Sequence, residues 1–395
     1  MICIFCSTEL TQDTKPEHVL PNALGGRKTT KQVICSECNN KFGSSIDKEL
    51  ATQVDFIRNM LQLESGTGKA PPMLRNVQVG KQAVNIQNDG TPKLAGKPFE
   101  IHSPKNGVTI VEIKANSMEE LKRTIPHIAA ALKITEEEVE QQIKVANVSK
   151  TVMRLGQVDQ RMSFGGKEAL RSIVKSGLVL WSAKFGNNEV NSDVFEEARL
   201  FVTKGEENFY RNRINLDSRI LDCDDALKDL FGQMYNFLYL KSDSAGRLVG
   251  YFSLYNAISW QFVLVESGAL PNSRVGLISN PLLPKDWSNS IANEFDIDFD
   301  WLNASVFEDF ENAQKRMSNL MRQHYEIAIP GEIGKICDDV FNRYALAEDD
   351  PIPSDLLDSI IGELSERMAC FATKVPYEET LSEAEIEKIL KPKKE

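Results

Sequence analysis

Two C-x-x-C pairs, Cys3/Cys6 and Cys35/Cys38, stand at the start of this chain with 28 residues between them. Two residues between cysteines let both thiolates of a pair face one ion, and two such pairs close a tetrahedron around Zn²⁺. The gap exceeds the roughly 15–20 residues of a plain zinc ribbon, so the insert is expected to carry more than a turn. The other three cysteines, Cys223, Cys337 and Cys370, lie far apart. An odd count with tight pairing argues for metal thiolates over a disulfide framework. The opening Met-Ile-Cys-Ile-Phe-Cys has neither a basic segment nor a small-residue cleavage site, which predicts a cytoplasmic protein.

The insert holds Glu17-His18-Val19-Leu20-Pro21 and then Gly25-Gly26-Arg27-Lys28, and Cys38 is followed at once by Asn39, Asn40, Lys41 and Phe42. Phosphodiester hydrolysis assisted by a metal needs a base for water, hard ligands for a divalent ion, and basic or backbone groups near the phosphate. A carboxylate beside a histidine, a Gly-Gly turn and an asparagine at a helix start supply those parts.

CIFC, EHVLPNALGG and CSECNNKFGSSID resemble the HNH endonuclease family, in particular its zinc-stapled members with an EH-x-x-P-x-x-LGG core and a C-x-x-C-N finish. The resemblance runs from Cys3 to Leu50. It implies a ββα-metal fold, in which a hairpin bearing the Glu-His pair packs on a helix that starts at the second knuckle. Carried over by residue, it makes His18 the general base. Glu17 and Asn39 become ligands of a catalytic Mg²⁺ or Mn²⁺, and Cys3, Cys6, Cys35 and Cys38 hold a structural zinc. Asn40 and Asp47 are alternative ligands or supporting groups. Thr30 stands where the family often has an asparagine, five residues before Cys35, which weakens the hairpin geometry more than the chemistry. The implied partner is DNA, and the implied setting is a bacterial restriction or phage-defence effector.

Each feature also has a plainer reading. A closed Cys₄ site catalyses nothing by itself, so the alternative is a zinc-stabilised, non-catalytic nucleic-acid-binding or adaptor protein. Gly25-Gly26-Arg27-Lys28 reads as a plain turn as readily as a phosphate contact. His102, His127 and His324 stand alone, without ligand spacing.

The net charge of −11 opposes binding of a polyanion at long range. The acidity is concentrated late: residues 331–370 carry ten acidic side chains against three basic ones. Residues 1–60 balance at seven of each. Lys144, Lys150, Arg154, Arg161, Lys167, Arg171, Lys175 and Lys184 face only Asp159 and Glu168 in their segment, more in keeping with a solvated face than a DNA track. DNA binding must therefore be local, and the acidic remainder suits a protein partner or a homo-oligomer. No run of eighteen apolar residues occurs, so no membrane partner is expected.

Periodicity and turn residues predict an α+β chain with a linker over 64–72, and the resemblance makes 1–62 a small N-terminal ββα-metal zinc module. A larger mixed α/β domain follows at 73–300 and an acidic helical region at 301–395, with a frayed Lys-rich end. Phe42, Ile46 and Leu50 predict one helix from Ser36 through Leu50, continuing toward Leu61. Short strands with turns at Asp89-Gly90 and Asn106-Gly107 fill 77–113, and helices are expected over 117–132, 135–144, 166–185, 305–325 and 354–372. Apolar segments at 247–254 and 258–265 predict consecutive antiparallel strands.

Overall fold

The hairpin implied around the Glu-His pair is short. Strand β1 (Glu17–His18) pairs antiparallel with β2 (Thr29–Thr30), with Glu17 opposite Thr30 and His18 opposite Thr29. Between them Asn22–Leu24 makes one 3₁₀ turn that Gly25 ends in the left-handed region, at φ 84°. The expected long helix is three pieces: α1 (Ser36–Ser44), α2 (Ile46–Gln53) and α3 (Asp55–Met60). The first break has a local cause. Ser44 and Ser45 both donate their hydroxyls to the carbonyl of Lys41, at 3.1 and 2.6 Å, offering that acceptor an alternative to the helical ladder. The break leaves Asp47 in the first turn of α2, where a carboxylate suits the helix dipole.

The computed structural model describes residues 1–79, 82–102, 109–146, 149–152, 161–283, 285–306, 309–344, 346, 351–373 and 377–380. They divide into two units, Met1–Pro72 with Arg161–Ile327, and Met73–Gln160 with Ala328–Glu395.

In the first unit α4 (Lys167–Phe185) lies over a six-stranded antiparallel sheet. Its strands are β3 (Ile214–Leu216), β4 (Asn236–Ser242), β5 (Leu248–Leu254), β6 (Ile258–Val265), β7 (Arg274–Ser279) and β8 (Trp287–Ser288), in the order β8-β7-β4-β5-β6-β3. Alternation along β4 divides two cores. Leu238 and Leu240 join Ile173, Leu178 and Trp181 of α4, while Phe237 and Tyr239 join Leu227, Ile291 and Leu302 on the other face. Burial on both faces explains why these strands read as continuous apolar runs instead of alternating ones. Val19, Leu24, Phe42, Ile46 and Leu50 of the N-terminal module belong to the same cluster as α4 and the sheet. The zinc module therefore shares one core with residues distant in sequence.

The second unit has a three-stranded antiparallel sheet of Leu74–Val79, Gln82–Ile86 and Pro92–Leu94, and a hairpin of Phe99–His102 with Ile110–Ile113. Helices Met118–Leu132 and Glu136–Lys144 bury Leu121, Ile125, Ile128, Val139 and Ile143 together. Thr135 and Glu138 form a reciprocal capping box. Helix Phe310–Arg343 is longer than its apolar period predicts, and contributes to this unit from Ala328 onward; Leu357–Thr373 is the other late helix. The expected turn at Asn106-Gly107 and the Lys-rich end lie outside the described residues.

Candidate metal centre and hairpin site

The first knuckle is a tight loop in which the Cys3 amide donates to Thr8 O at 2.8 Å and Ser7 adopts φ 60°. The second is built on a helix start: Cys35 is the N-cap of α1, and its sulfur accepts from the Cys38 amide at 3.4 Å. All four sulfurs lie within 4.8 Å of one another, and Cys6 Sγ and Cys35 Sγ are 3.5 Å apart. Zinc–sulfur bonds of about 2.3 Å place tetrahedral ligands about 3.8 Å apart, so the cluster fits a structural zinc. The sulfurs are also poised electrically: Cys38 as a hydrogen-bond donor pulls Cys3 down to about 5, and Cys38 is itself pushed up beside that thiolate. Crowded thiolates of this kind need a cation among them.

The hairpin is held against this centre by its backbone. The Val19 amide donates to Lys28 O at 2.9 Å, and Asn39, directly after the second knuckle, donates its side-chain amide to Pro16 O at 3.0 Å. Thr30 still pairs across from Glu17, so its departure from the family pattern leaves the hairpin formed. Gly26 is a close-packing residue: a Cβ there would stand 2.0 Å from Leu20 O. Gly26→Ala is therefore expected to cost on the order of 1–3 kcal/mol, the usual cost of overpacking. Thermal denaturation checks this, and an unchanged melting temperature would show that the turn can relax.

The side chains behind the hairpin are arranged in a way the sequence did not announce. Glu17 is 4% exposed, and its Oε1 accepts a hydrogen bond from Lys175 Nζ at 2.5 Å. The same ammonium donates to Asp47 Oδ2 at 2.6 Å, and Ser172 donates its hydroxyl to Asp47 Oδ1 at 2.6 Å. Lys175 and Ser172 are fully buried in α4. Burial alone disfavours the ammonium, but Asp47 and then Glu17 outweigh it and hold the amine above its ordinary value. Burial pushes the Glu17 carboxyl above its usual range, opposed by Lys175 and reinforced by Asp47.

His18 is half-buried beside this cluster. Burial, then Lys175, then Arg27 hold its imidazole below 6.5, against a smaller pull from Asp47. It is therefore neutral at pH 7. Arg27 donates through Nη1 to Gly66 O, while its Nε and Nη2 are buried without a hydrogen-bond partner among the described residues. Asn40 accepts from Lys15 Nζ at 3.4 Å on the exposed side of α1.

The structure thus brings Glu17, His18, Asp47 and Arg27 together and adds Lys175 and Ser172. Sequence reasoning missed Lys175 because it counted it with a basic, solvated segment. The available signal was its place in α4 between the apolar positions Val174 and Leu178, where a lone lysine needs a buried counter-charge. The basic segment is not a solvated face at Lys175 or at Arg171, whose guanidinium donates to Val202 O and Thr203 O. Arg154 and Asp159 lie outside the described residues. His102, exposed, stands 3.8 Å from Glu100 and Glu112, and His127 is exposed on its helix.

Four thiolates clamping a short hairpin onto a helix start define a zinc-stapled ββα module. Residues 3–55 match the family model of the HNH endonucleases, which makes this N-terminal part an HNH module and implies a nucleic-acid substrate. No curated protein and no solved structure matches the chain. Among the described residues no helix is long and apolar enough to cross a membrane.

Proposed function

We propose that the N-terminal module hydrolyses phosphodiester bonds in DNA, with His18 as the general base. One observation carries the reading: a half-exposed imidazole sits on a zinc-clamped hairpin, held in its neutral form by burial, Lys175 and Arg27. His18 would take a proton from water as it attacks the phosphate. Plasmid nicking by purified protein tests this, with His18→Ala expected to be slower by about 10²–10⁴-fold. A variant that cuts as fast as the parent removes His18 from the mechanism.

The depressed imidazole also sets a pH dependence. Its folded value lies below 6.5, so the unfolded chain takes up this proton first as pH falls. The stability it contributes is complete above 6.5 and is lost as pH falls through the folded value. Activity should follow the same group: the acid limb of kcat/KM is expected to be centred below pH 6.5. An acid limb centred above 6.5 would place the base elsewhere.

The HNH resemblance implies Mg²⁺ or Mn²⁺ on Glu17 and Asn39. Those residues do not fit the ion as they stand, since Glu17 is buried and already paired with an ammonium. A dication on Glu17 would lie about 5 Å from Lys175, where the repulsion is on the order of 7 kcal/mol at an effective dielectric constant of about 20. No catalytic step is therefore assigned to a divalent ion. The same burial favours the second reading, a zinc-stabilised nucleic-acid-binding or adaptor protein, and the His18→Ala comparison separates the two. A restriction or phage-defence role rests on the family resemblance alone.

A further inference from the structure

We propose that the ε-ammonium of Lys175 is the resident cation of this HNH module, standing between Glu17 and Asp47 and excluding a divalent metal from them. The inference rests on the HNH reading of the module, but its test does not require nuclease activity.

Three features meet at one point. Glu17 sits on the hairpin, Asp47 in the first turn of α2, and Lys175 in the middle of α4, which is 158 residues from Glu17 in sequence. Both ammonium contacts are short, at 2.5 and 2.6 Å, and Ser172 takes up the second oxygen of Asp47. The lysine is 0% exposed, so water does not supply its counter-charge. Two carboxylates left in this setting without a cation would repel each other and lose their hydration, a strong drive to recruit positive charge. Carboxylate oxygens on a hard dication are the alternative solution to the same electrostatic problem. The chain meets it with its own amine, held at fixed geometry by a helix packed into the core. An ammonium carries one charge where a metal carries two, and two of its three donors are spent on the two carboxylates. Lys175 acts through Glu17 and Asp47, not on a phosphate, so it is a positioning residue. It fixes the carboxylate beside His18 and helps keep the imidazole neutral.

The experiment is Mn²⁺ binding followed by electron paramagnetic resonance on the zinc-loaded full chain, with melting temperature recorded in parallel. The parent is expected to bind no Mn²⁺ at Glu17 up to millimolar concentration. Lys175→Met exposes a carboxylate pair and is expected to bind one Mn²⁺ per chain at least 10-fold more tightly, with a rise in melting temperature that the parent lacks. Lys175→Arg keeps the charge and should behave as the parent, and Lys175→Met with Glu17→Gln should lose the new site. Parent protein that binds Mn²⁺ in a manner abolished by Glu17→Gln overturns the proposal. So does a Lys175→Met protein that folds but binds none, or one that stays unfolded whether or not Mn²⁺ is present. Failure of the nuclease reading would appear separately, as equal cutting by parent and His18→Ala.

Discussion

Cys35→Ser is expected to release the zinc and unfold more than the zinc module. Zinc bound to four thiolates contributes about 10–16 kcal/mol in small zinc peptides, as large as the total stability of most domains, about 5–15 kcal/mol. Cys35 holds two things at once, a place in the sulfur cluster and the N-cap of α1, whose Cys38 amide it accepts. The residues that α1 and the hairpin bury, Phe42, Val19 and Leu24 among them, share a core with Trp181 and Trp260. Losing the clamp therefore opens that core and not only the first sixty residues. Elemental analysis should fall from one zinc per chain to none, and the near-ultraviolet circular dichroism of the buried tryptophans should collapse with it. Cys223→Ser is the control, because Cys223 is outside the cluster. Retained zinc with an unchanged tryptophan signal would refute the clamp.

Lys175→Met, in buffer free of divalent metal, is expected to cost on the order of 3–5 kcal/mol, the usual result of removing one partner from a buried ion pair. The methionine fills the alkyl volume, so the cost falls on Glu17 and Asp47, which lose their counter-charge in a water-poor site. Coupling distinguishes this from a packing defect. With Glu17→Gln in the background, Lys175→Met should cost appreciably less, because one uncompensated carboxylate is already gone. Urea denaturation of the parent, both single variants and the double variant gives the coupling directly. Strictly additive costs would mean that the ammonium and the Glu17 carboxylate do not interact.

Several elements were legible without coordinates. Leu170, Ile173, Val174, Leu178 and Trp181 mark the buried face of α4, and the strands of the large sheet announce themselves by apolar runs between turn residues. The cysteine pairs predicted the sulfur cluster, because two-residue spacing confines each pair to one small volume. Helix boundaries were less legible: Ser44 and Ser45 break the helix after α1 through side-chain hydrogen bonds that no apolar period records. The expectation that Glu17 holds a divalent ion came from a resemblance carried by short-range pattern, and short-range pattern cannot reveal which distant side chain closes on a carboxylate.

By itself the amino-acid order determined the local chemistry: a zinc knuckle, a Glu-His hairpin, an α+β chain and an HNH resemblance confined to its start. Those follow from spacings of a few residues, which the backbone holds nearly constant. Only the tertiary structure decided that α4 packs against the hairpin and brings Lys175 between Glu17 and Asp47. A buried charge must find its partner wherever the core places one, and that pairing is a property of packing in three dimensions, which no local spacing encodes.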